Sequence, residues 1–128
     1  MAYSSFEDLE VWKRACRLAV KIYEILRDCR DYGLKNQMTR AAVSIASNIA
    51  EGAERDSVAE YIRFLHIAKG SSAELRTQVY IAQQIAVIKQ KTKNELVEEL
   101  KIISSMLHAL IKSLKPKLKT KKILKPKT

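Results

Sequence analysis

Residues that interrupt helices, or that fill the core of a β-sandwich, are scarce in this chain of 128 residues. There are only 3 Gly and 2 Pro, and aromatic residues make up 6% of the sequence. Hydrophobic residues nevertheless reach 47%, which is enough for one core built mainly from Leu, Ile, Val and Ala. Such a core favours helices, because straight-chain side chains and Ala keep more conformational freedom there. The composition therefore predicts one all-α domain.

Residues that build metal and catalytic sites are also few, since the chain has 2 Cys and 2 His. Neither His66 nor His108 follows a Glu at the Glu-x-x-His spacing of di-iron bundles, and Cys and His do not cluster at zinc-site spacing. Cys16 and Cys29 lie about 20 Å apart along one predicted helix, too far for a mutual disulfide, so reduced thiols are expected. Without a glycine-rich phosphate loop or a G-x-S-x-G motif, the sequence predicts no metal, no cofactor and no catalytic residue.

Signals for secretion and membrane insertion are absent as well. Residues 1–10 contain acidic side chains and no apolar stretch, unlike a secretory signal peptide. No apolar run approaches the roughly 18 residues that would indicate a membrane span. Together with the reduced cysteines, these absences predict a cytoplasmic protein without a membrane partner.

Apolar residues recur every three or four positions in four segments, as amphipathic helices require. The four segments are residues 5–29, 36–53, 57–88 and 92–114. Capping boxes are expected at Ser4, Ser57 and Thr92, each of which is followed by Glu three residues later. Asn36 is the expected N-cap of the second helix, and Gly33 is the expected C-cap of the first.

Short connections make consecutive helices neighbours, which predicts an antiparallel up-down-up-down four-helix bundle over residues 1–114. The apolar stripes on the first and fourth helices are wider than one bundle seam needs, so part of that surface is expected to lie between subunits. A monomer with a wide core is the alternative. Gly70, in the middle of the third helix, predicts a close helix contact or a local bend, because Gly costs about 1 kcal/mol there relative to Ala.

Positive charge is concentrated at the C-terminal end of the chain. The net charge is +10, yet residues 112–128 contain eight lysines and no acidic residue, so residues 1–111 carry only +2. Pro116 is expected to end the fourth helix, which leaves residues 115–128 as a Lys-rich tail. Such a tail attracts polyanions without selecting a sequence. The alternative is a solubilising, disordered end.

A basic stripe is predicted on the first helix, where Lys13, Arg17 and Lys21 are spaced by four residues. The stripe and five lysines of the tail are the predicted nucleic-acid-binding residues. The five lysines are Lys115, Lys117, Lys119, Lys121 and Lys122.

Polar residues also line the second and third helices, where they are predicted to form a structural network that fixes helix register or subunit orientation. Its members are Arg40, Asn48, Glu51 and Glu74. A ligand site is the less favoured interpretation. Arg63 and His66, three residues apart on one helix face, have a spacing found in some helical ribonucleases, although an ordinary surface role is favoured.

Three blocks of the sequence resemble a known family. They are F-E-D-L-E-V-W at residues 6–12, R-A-A-V-S-I-A-S-N-I-A-E-G at residues 40–52, and F-L-H-I-A-K-G-S at residues 64–71, followed by Glu74, Leu75 and Thr77. Over residues 5–112 the chain resembles the four-helix bundle family of proteins encoded in the intervening sequences of bacterial 23S ribosomal RNA genes. That family commonly has Pro where this chain has Ala46.

The resemblance implies a left-handed up-down bundle and a ring-shaped homopentamer, in a family without an established enzymatic activity. It also implies a distant similarity to the accessory proteins of diversity-generating retroelements, which bind nucleic acid and a reverse transcriptase. The Lys-rich tail lies outside the similar region.

These observations lead to three hypotheses. The first is a non-enzymatic oligomer that binds nucleic acid, with RNA as the expected ligand, through phosphate contacts. The second is a protein-binding scaffold or accessory subunit, for example a partner of a reverse transcriptase. The third, with least support, is an RNA-processing enzyme that uses Arg63 and His66.

Overall fold

The computed structural model describes residues 5–123, with side chains as far as Leu118. A short 3-10 helix, Phe6–Asp8, precedes four α-helices. The four are α1 (Glu10–Ile25), α2 (Tyr32–Ala53), α3 (Val58–Gln84) and α4 (Gln90–Ile123). These residues contain no strand, which confirms the predicted all-α class. Within the same residues, no helix combines the length and apolar character needed to cross a membrane.

Each helix packs against the next helix in the chain, and α1 also packs against α4, which closes the bundle. The α1–α4 contact is the smallest of these four helix–helix contacts. In the α1–α4 and α2–α3 pairs, the residue numbers of successive contacts increase along one helix and decrease along the other. The contacting residues are Arg14–Glu99 and Lys21–Glu95 in the first pair, and Ser44–Ser71 and Gly52–Phe64 in the second. The helices of each pair are therefore antiparallel, as the short connections predict.

The core is aliphatic and runs the length of the bundle, with contributions from all four helices. Its largest fully buried side chains are Ile22, Leu26, Met38, Ile45, Ile49, Leu65, Leu75, Val79, Leu96, Leu100, Ile103 and Leu107. Burying each of these side chains contributes roughly 1.5–3 kcal/mol. This core confirms the aliphatic interior predicted from composition.

The N-terminal helix begins later than predicted. Ser5 and Asp8, rather than Ser4 and Glu7, form the capping box, and the box closes a 3-10 turn. Leu9 is extended, with φ −73° and ψ 123°, so the chain leaves the turn before α1 begins. Tertiary packing accounts for this break, because Leu9 contacts the core and the ring of Phe6 packs edge-on against the ring of Trp12 in α1.

The connection between α1 and α2 also differs from the prediction, because α1 ends at Ile25 rather than at residue 29. Asp31 caps α2, and its carboxylate accepts a hydrogen bond from the backbone N–H of Leu34 at 3.1 Å. Gly33 therefore lies in the first turn of α2, and the described chain contains no glycine with a positive φ. Asn36, the predicted N-cap, lies inside this helix.

The N-cap of α3 is Ser57, as predicted, and its hydroxyl accepts a hydrogen bond from the Glu60 N–H at 3.1 Å. The C-terminal end of α3 is at Gln84 instead of residue 88. There Ala86 has φ 65°, the left-handed conformation that commonly follows a helix. Two backbone hydrogen bonds complete this Schellman-type end, Ala86 N–H to Gln83 O at 3.1 Å and Val87 N–H to Ala82 O at 2.8 Å.

Burial of the two residues after Ala86 explains this early end. Val87 packs against the core and Ile88 is buried, so the chain turns inward before α4 begins. The helix α4 then starts at Gln90, which places Thr92 within the helix rather than at its N-cap.

Pro116 does not end α4, which continues to Ile123. A proline inside a helix removes one backbone hydrogen bond and costs about 3 kcal/mol. Core contacts oppose that cost, because Leu118 packs against the core one turn after the buried Leu114. The predicted end at Leu114 was wrong because the apolar spacing continues past the proline.

Glycine marks a close helix approach at Gly52, not at Gly70. A Cβ placed on Gly52 would lie 2.7 Å from the Cβ of Phe64 and 3.2 Å from the Tyr61 carbonyl oxygen. At Gly70 the same atom would meet nothing within 4 Å in the part of the chain that the structure describes. Of the two alternatives predicted at Gly70, a close helix contact or a local bend, the close contact is therefore wrong.

Candidate nucleic-acid interface and the grooves of α2

The basic stripe of α1 consists of the predicted residues Lys13, Arg17 and Lys21, which are all exposed. Arg17 pairs with Glu10 at 3.3 Å, and Lys21 pairs with Glu95 of α4 at 3.9 Å. Lys13 has no ion-pair partner among residues 5–118. Exposed pairs of this kind contribute about 0–1 kcal/mol, so a polyanion can compete with Glu10 and Glu95 for both cations.

Arg14 lies beside the stripe but turns toward α4. Its Nε and Nη2 donate to the two carboxylate oxygens of Glu99, at 2.8 and 2.7 Å. The hydrogen bonds from the guanidinium to Glu99, and the charge of that carboxylate, raise the pKa of Arg14. This pair joins α1 to α4, and sequence spacing cannot reveal a contact between residues so far apart in the chain.

Exposed lysines follow one another on the C-terminal part of α4. Lys112, Lys115 and Lys117 are exposed, while Ile111 and Leu114 of the same helix are buried. Lys119, Lys121 and Lys122 occupy helical positions, and their side chains lie outside the described residues. No acidic residue follows Glu99 in the sequence, so this segment is a basic helical arm rather than the non-helical tail that was predicted. We call residues 112–123 the basic arm.

The polar residues between α2 and α3 form two groups: a bonded part, joined by hydrogen bonds, and a free part, without hydrogen bonds or ion pairs among the described residues. The bonded part is formed by Ser44, Asn48 and Ser71. The hydroxyls of Ser44 and Ser71 lie 2.9 Å apart, and Asn48 Nδ2 donates to the Ser44 carbonyl at 2.8 Å and to its hydroxyl at 2.9 Å. Of the four predicted network residues, Asn48 is in this group, while Glu51 pairs with Arg55 at 2.7 Å.

The free part consists of Arg40 and Glu74, which are exposed and line one polar groove of about 380 Å³ between α2 and α3. Neither side chain forms a hydrogen bond or ion pair within the described part of the chain. Asn36, Gln37, Ala41 and Ser44 complete the groove wall. The structure therefore brings the two charges to one groove without joining them.

Gln78 is buried one helical turn beyond Glu74 on α3. It is 6% exposed, and its Oε1 has no hydrogen-bond partner in residues 5–118. A buried acceptor left without a donor is uncommon in folded proteins. The sequence offers no sign of this, because Gln78 resembles any other polar residue of an amphipathic helix.

A second groove, of about 420 Å³, lies on the other side of α2, against α1, and is almost entirely apolar. It is lined by Phe6, Trp12, Cys16, Ala19, Val20, Val43, Ala46, Ser47 and Ala50. Val20 is 57% exposed and Val43 is 42% exposed, so the groove presents aliphatic surface to solvent. We call it the apolar groove.

Arg63 and His66 are both exposed on α3. Arg63 pairs with Glu60 at 3.2 Å, and its guanidinium lies 4.6 Å from the centre of the Phe64 ring. Arg55 contacts the same ring at 4.8 Å. Arg63 therefore contacts Glu60 and Phe64, and none of these contacts involves His66. Among the described residues, no group of three or more His, Cys, Asp or Glu side chains could hold a metal ion.

Comparison with known proteins identifies a family and a fold. The profile of the family described as 23S rRNA-intervening sequence protein matches residues 7–109. The crystal structure of a protein of unknown function from the S23 ribosomal protein family of Bacteroides thetaiotaomicron VPI-5482, at 1.70 Å resolution, has a TM-score of 0.75 and 24% sequence identity. The similar region covers 80% of this chain and 98% of the Bacteroides protein, and at this identity the similarity shows a shared fold. No curated protein matches the chain. The basic arm begins after the matched residues.

Proposed function

We propose, from the premise that this chain belongs to the 23S rRNA-intervening sequence protein family, that it is a non-enzymatic oligomer that binds RNA through phosphate contacts. The basic arm is the observation that carries this proposal. It presents Lys112, Lys115 and Lys117 along one exposed helical segment that contains no carboxylate. Binding of this kind neutralises phosphates and depends little on base sequence.

The basic stripe is a weaker contact surface than the arm. Glu10 and Glu95 partly neutralise Arg17 and Lys21, and only Lys13 presents an uncompensated charge there. Phosphates would have to displace both carboxylates, and the gain from each cation is reduced accordingly. We therefore assign the larger share of RNA affinity to the arm and a smaller share to the stripe.

Oligomerisation would multiply both surfaces. The apolar groove supports self-association, because exposed aliphatic side chains gain free energy when a second subunit covers them. We propose a homopentamer, which is the assembly implied by the family resemblance. Five basic arms on one particle would bind a long RNA far more tightly than one arm does, because each contact after the first is intramolecular.

A protein-binding accessory subunit is the alternative function. The apolar groove supports it too, if a different protein rather than a second copy covers Trp12 and Val20. A partner recovered after nuclease treatment, and lost in a Val20→Asp variant, would favour this alternative. A reverse transcriptase is one candidate for such a partner.

Salt-dependent RNA binding tests the proposed function. Fluorescence anisotropy would follow a labelled single-stranded 20-nucleotide RNA between 50 and 300 mM KCl. The wild-type affinity should fall steeply with salt. In a Lys115→Gln/Lys117→Gln variant, the slope of log K against log salt should decrease by about 1.4, and the low-salt affinity should fall roughly tenfold.

A matched control lies at the N-terminal end of α4, where Lys89 immediately precedes the helix and Lys91 is its second residue. Lys89 and Lys91 are exposed, and their replacement by Gln removes the same charge far from the basic arm. The control should keep most of the wild-type affinity and slope. Equal losses in the two double variants would show a general charge effect and contradict the arm as the binding surface. A wild-type protein that does not bind RNA even at 50 mM KCl would overturn the proposed function.

A further inference from the structure

The polar groove between α2 and α3 places a free guanidinium and a free carboxylate in one recess. Arg40 lies four residues before Ser44 on α2, and Glu74 lies three residues after Ser71 on α3. The hydrogen bond between the two serine hydroxyls holds the helices together at this level. Arg40 and Glu74 are therefore carried on a fixed pair of helices, and neither is satisfied by the other.

Phosphate is a poor occupant for this recess. The Glu74 carboxylate would repel a phosphate held by Arg40, and the basic arm offers lysines without such a neighbour. A ligand that suits both groups must present acceptors to Arg40 and donors to Glu74. Asn36 and Gln37, whose amides both donate and accept, also favour a ligand with mixed polar edges.

Guanine has this distribution of groups. Its O6 and N7 accept two hydrogen bonds from an arginine, and its N1–H and N2–H donate two to a carboxylate. Adenine and cytosine lack the two adjacent donor groups that a carboxylate would bind, and uracil lacks two adjacent acceptors for an arginine. The groove has a volume of about 380 Å³, which is large enough for one base.

We infer that the α2–α3 groove binds an unpaired guanine of the RNA, with Arg40 on the O6 and N7 edge and Glu74 on the N1 and N2 edge. This inference rests on the proposed function and adds a base preference to it. Unpaired bases are the parts of RNA that proteins recognise by sequence, because their edges are accessible. Tyr23, whose ring is exposed in the adjoining groove on the other side of Arg40, offers a stacking surface for the next base.

Changes to individual functional groups of the central base test this assignment. Two labelled 12-nucleotide oligouridines, one with a central guanosine and one with a central adenosine, would be compared by anisotropy at 100 mM KCl. The wild type should bind the guanosine RNA about tenfold more tightly, within the range of one bidentate base contact. Inosine, which lacks the N2 amine, should lose part of that preference, and 7-deazaguanosine, which lacks N7, should lose another part.

Protein variants then assign each edge. Glu74→Gln should reduce the guanosine preference and narrow the difference between guanosine and inosine, because the amide keeps only one acceptor. Arg40→Gln should narrow the difference between guanosine and 7-deazaguanosine, because the amide cannot replace the charged bidentate donor. Glu98→Gln changes an exposed glutamate of α4 and should behave as the wild type does. The adenosine RNA should bind all four proteins through the basic arm.

The possible failures are distinguishable. Equal wild-type affinity for the guanosine and adenosine RNAs would overturn the base assignment and leave phosphate binding intact. Absence of binding to either RNA would remove the proposed function itself. If Glu74→Gln changes the mass of the oligomer in light scattering, and not the base preference, the groove is a subunit contact and the inference is wrong.

Discussion

The two sides of α2 use similar residues in different ways. Against α3, the helix packs closely: a Cβ added to Gly52 would lie only 2.7 Å from the Cβ of Phe64, and the hydroxyl of Ser44 is hydrogen-bonded to that of Ser71. Against α1, Ala46 and Ala50 border a groove that stays open, although small side chains line both faces of α2. Small residues permit a close approach, but the neighbouring helix decides whether it occurs.

This difference follows from what the neighbours supply. On the α3 side, two hydroxyls and an amide satisfy one another, so the helices can close over polar groups at little cost. On the α1 side, Trp12 and Val20 line a groove that no polar pair closes, and their apolar surface is open to solvent. The α2–α3 contact stabilises the single chain, and the apolar groove offers a surface for the proposed assembly.

The largest expected effect tests the close contact between α2 and α3. Gly52→Ala places a Cβ 2.7 Å from the Cβ of Phe64, which forces the helices apart. The free energy of unfolding should fall by about 2 kcal/mol, because overpacking outweighs the better helix propensity of Ala. Urea unfolding followed by circular dichroism, at constant protein concentration, measures the change.

Gly70→Ala is the matched control for that substitution. The position is helical and exposed, and the new Cβ meets nothing within 4 Å among the described atoms. This variant should gain about 1 kcal/mol from helix propensity alone. If both substitutions stabilise the protein, the two helices can separate freely at Gly52, and the contrast between the two sides of α2 disappears.

The next largest effect tests the apolar groove between α1 and α2. Val20→Asp introduces a charge into the apolar groove at a residue that is 57% exposed in the single chain. Helix content should be unchanged, while the dissociation constant of the proposed oligomer should rise at least about tenfold, or 1.4 kcal/mol. Sedimentation velocity over a range of concentrations measures it.

The control for self-association is Tyr32→Asp, at an apolar residue that is 65% exposed and lies outside the groove. It should leave the oligomer intact. Should Val20→Asp and wild type have the same mass at every concentration, the apolar groove plays no part in assembly.

The smallest expected effect is on the reactivity of Cys16, which lines the apolar groove. Burial raises the pKa of its thiol, and the nearby Arg17 only partly opposes that shift. A raised pKa leaves less thiolate at a given pH, so alkylation by iodoacetamide at pH 8 should be slower than for a free thiol. The rate should also continue to rise at pH values where a free thiol is already fully reactive.

Assembly should slow this reaction further. Alkylation of Cys16, measured by mass spectrometry, should accelerate in the Val20→Asp variant because the groove is no longer covered. A rate equal to that of a free thiol in the wild-type oligomer would show that the groove is open in solution.

Much of the bundle could be predicted from local pattern. The four apolar periodicities located the helices, and the Ser57 cap was found because its partner lies three residues away. The ends at Ile25 and Gln84 were missed, since they depend on which later residues are buried. Ala86 shows the difficulty, because an alanine with φ 65° carries none of the glycine signal that marks such a position.

The candidate sites divide in the same way. Lysine content alone pointed to the C-terminal segment, but Pro116 concealed that this segment is helical. The bond between Ser44 and Ser71 agrees with a polar contact between α2 and α3, whereas Arg40 and Glu74 could be placed beside a groove only after the register of these helices was known.

The sequence by itself determined the class of this protein, because hydrophobic periodicity and the lack of helix breakers leave one economical way to bury an aliphatic core. Only the tertiary structure decided where α1, α3 and α4 end and which glycine is in close contact. It also decided that Arg14 pairs with Glu99 across the bundle. These features depend on atoms that are distant in sequence, and their free energies exist only once the helices have packed.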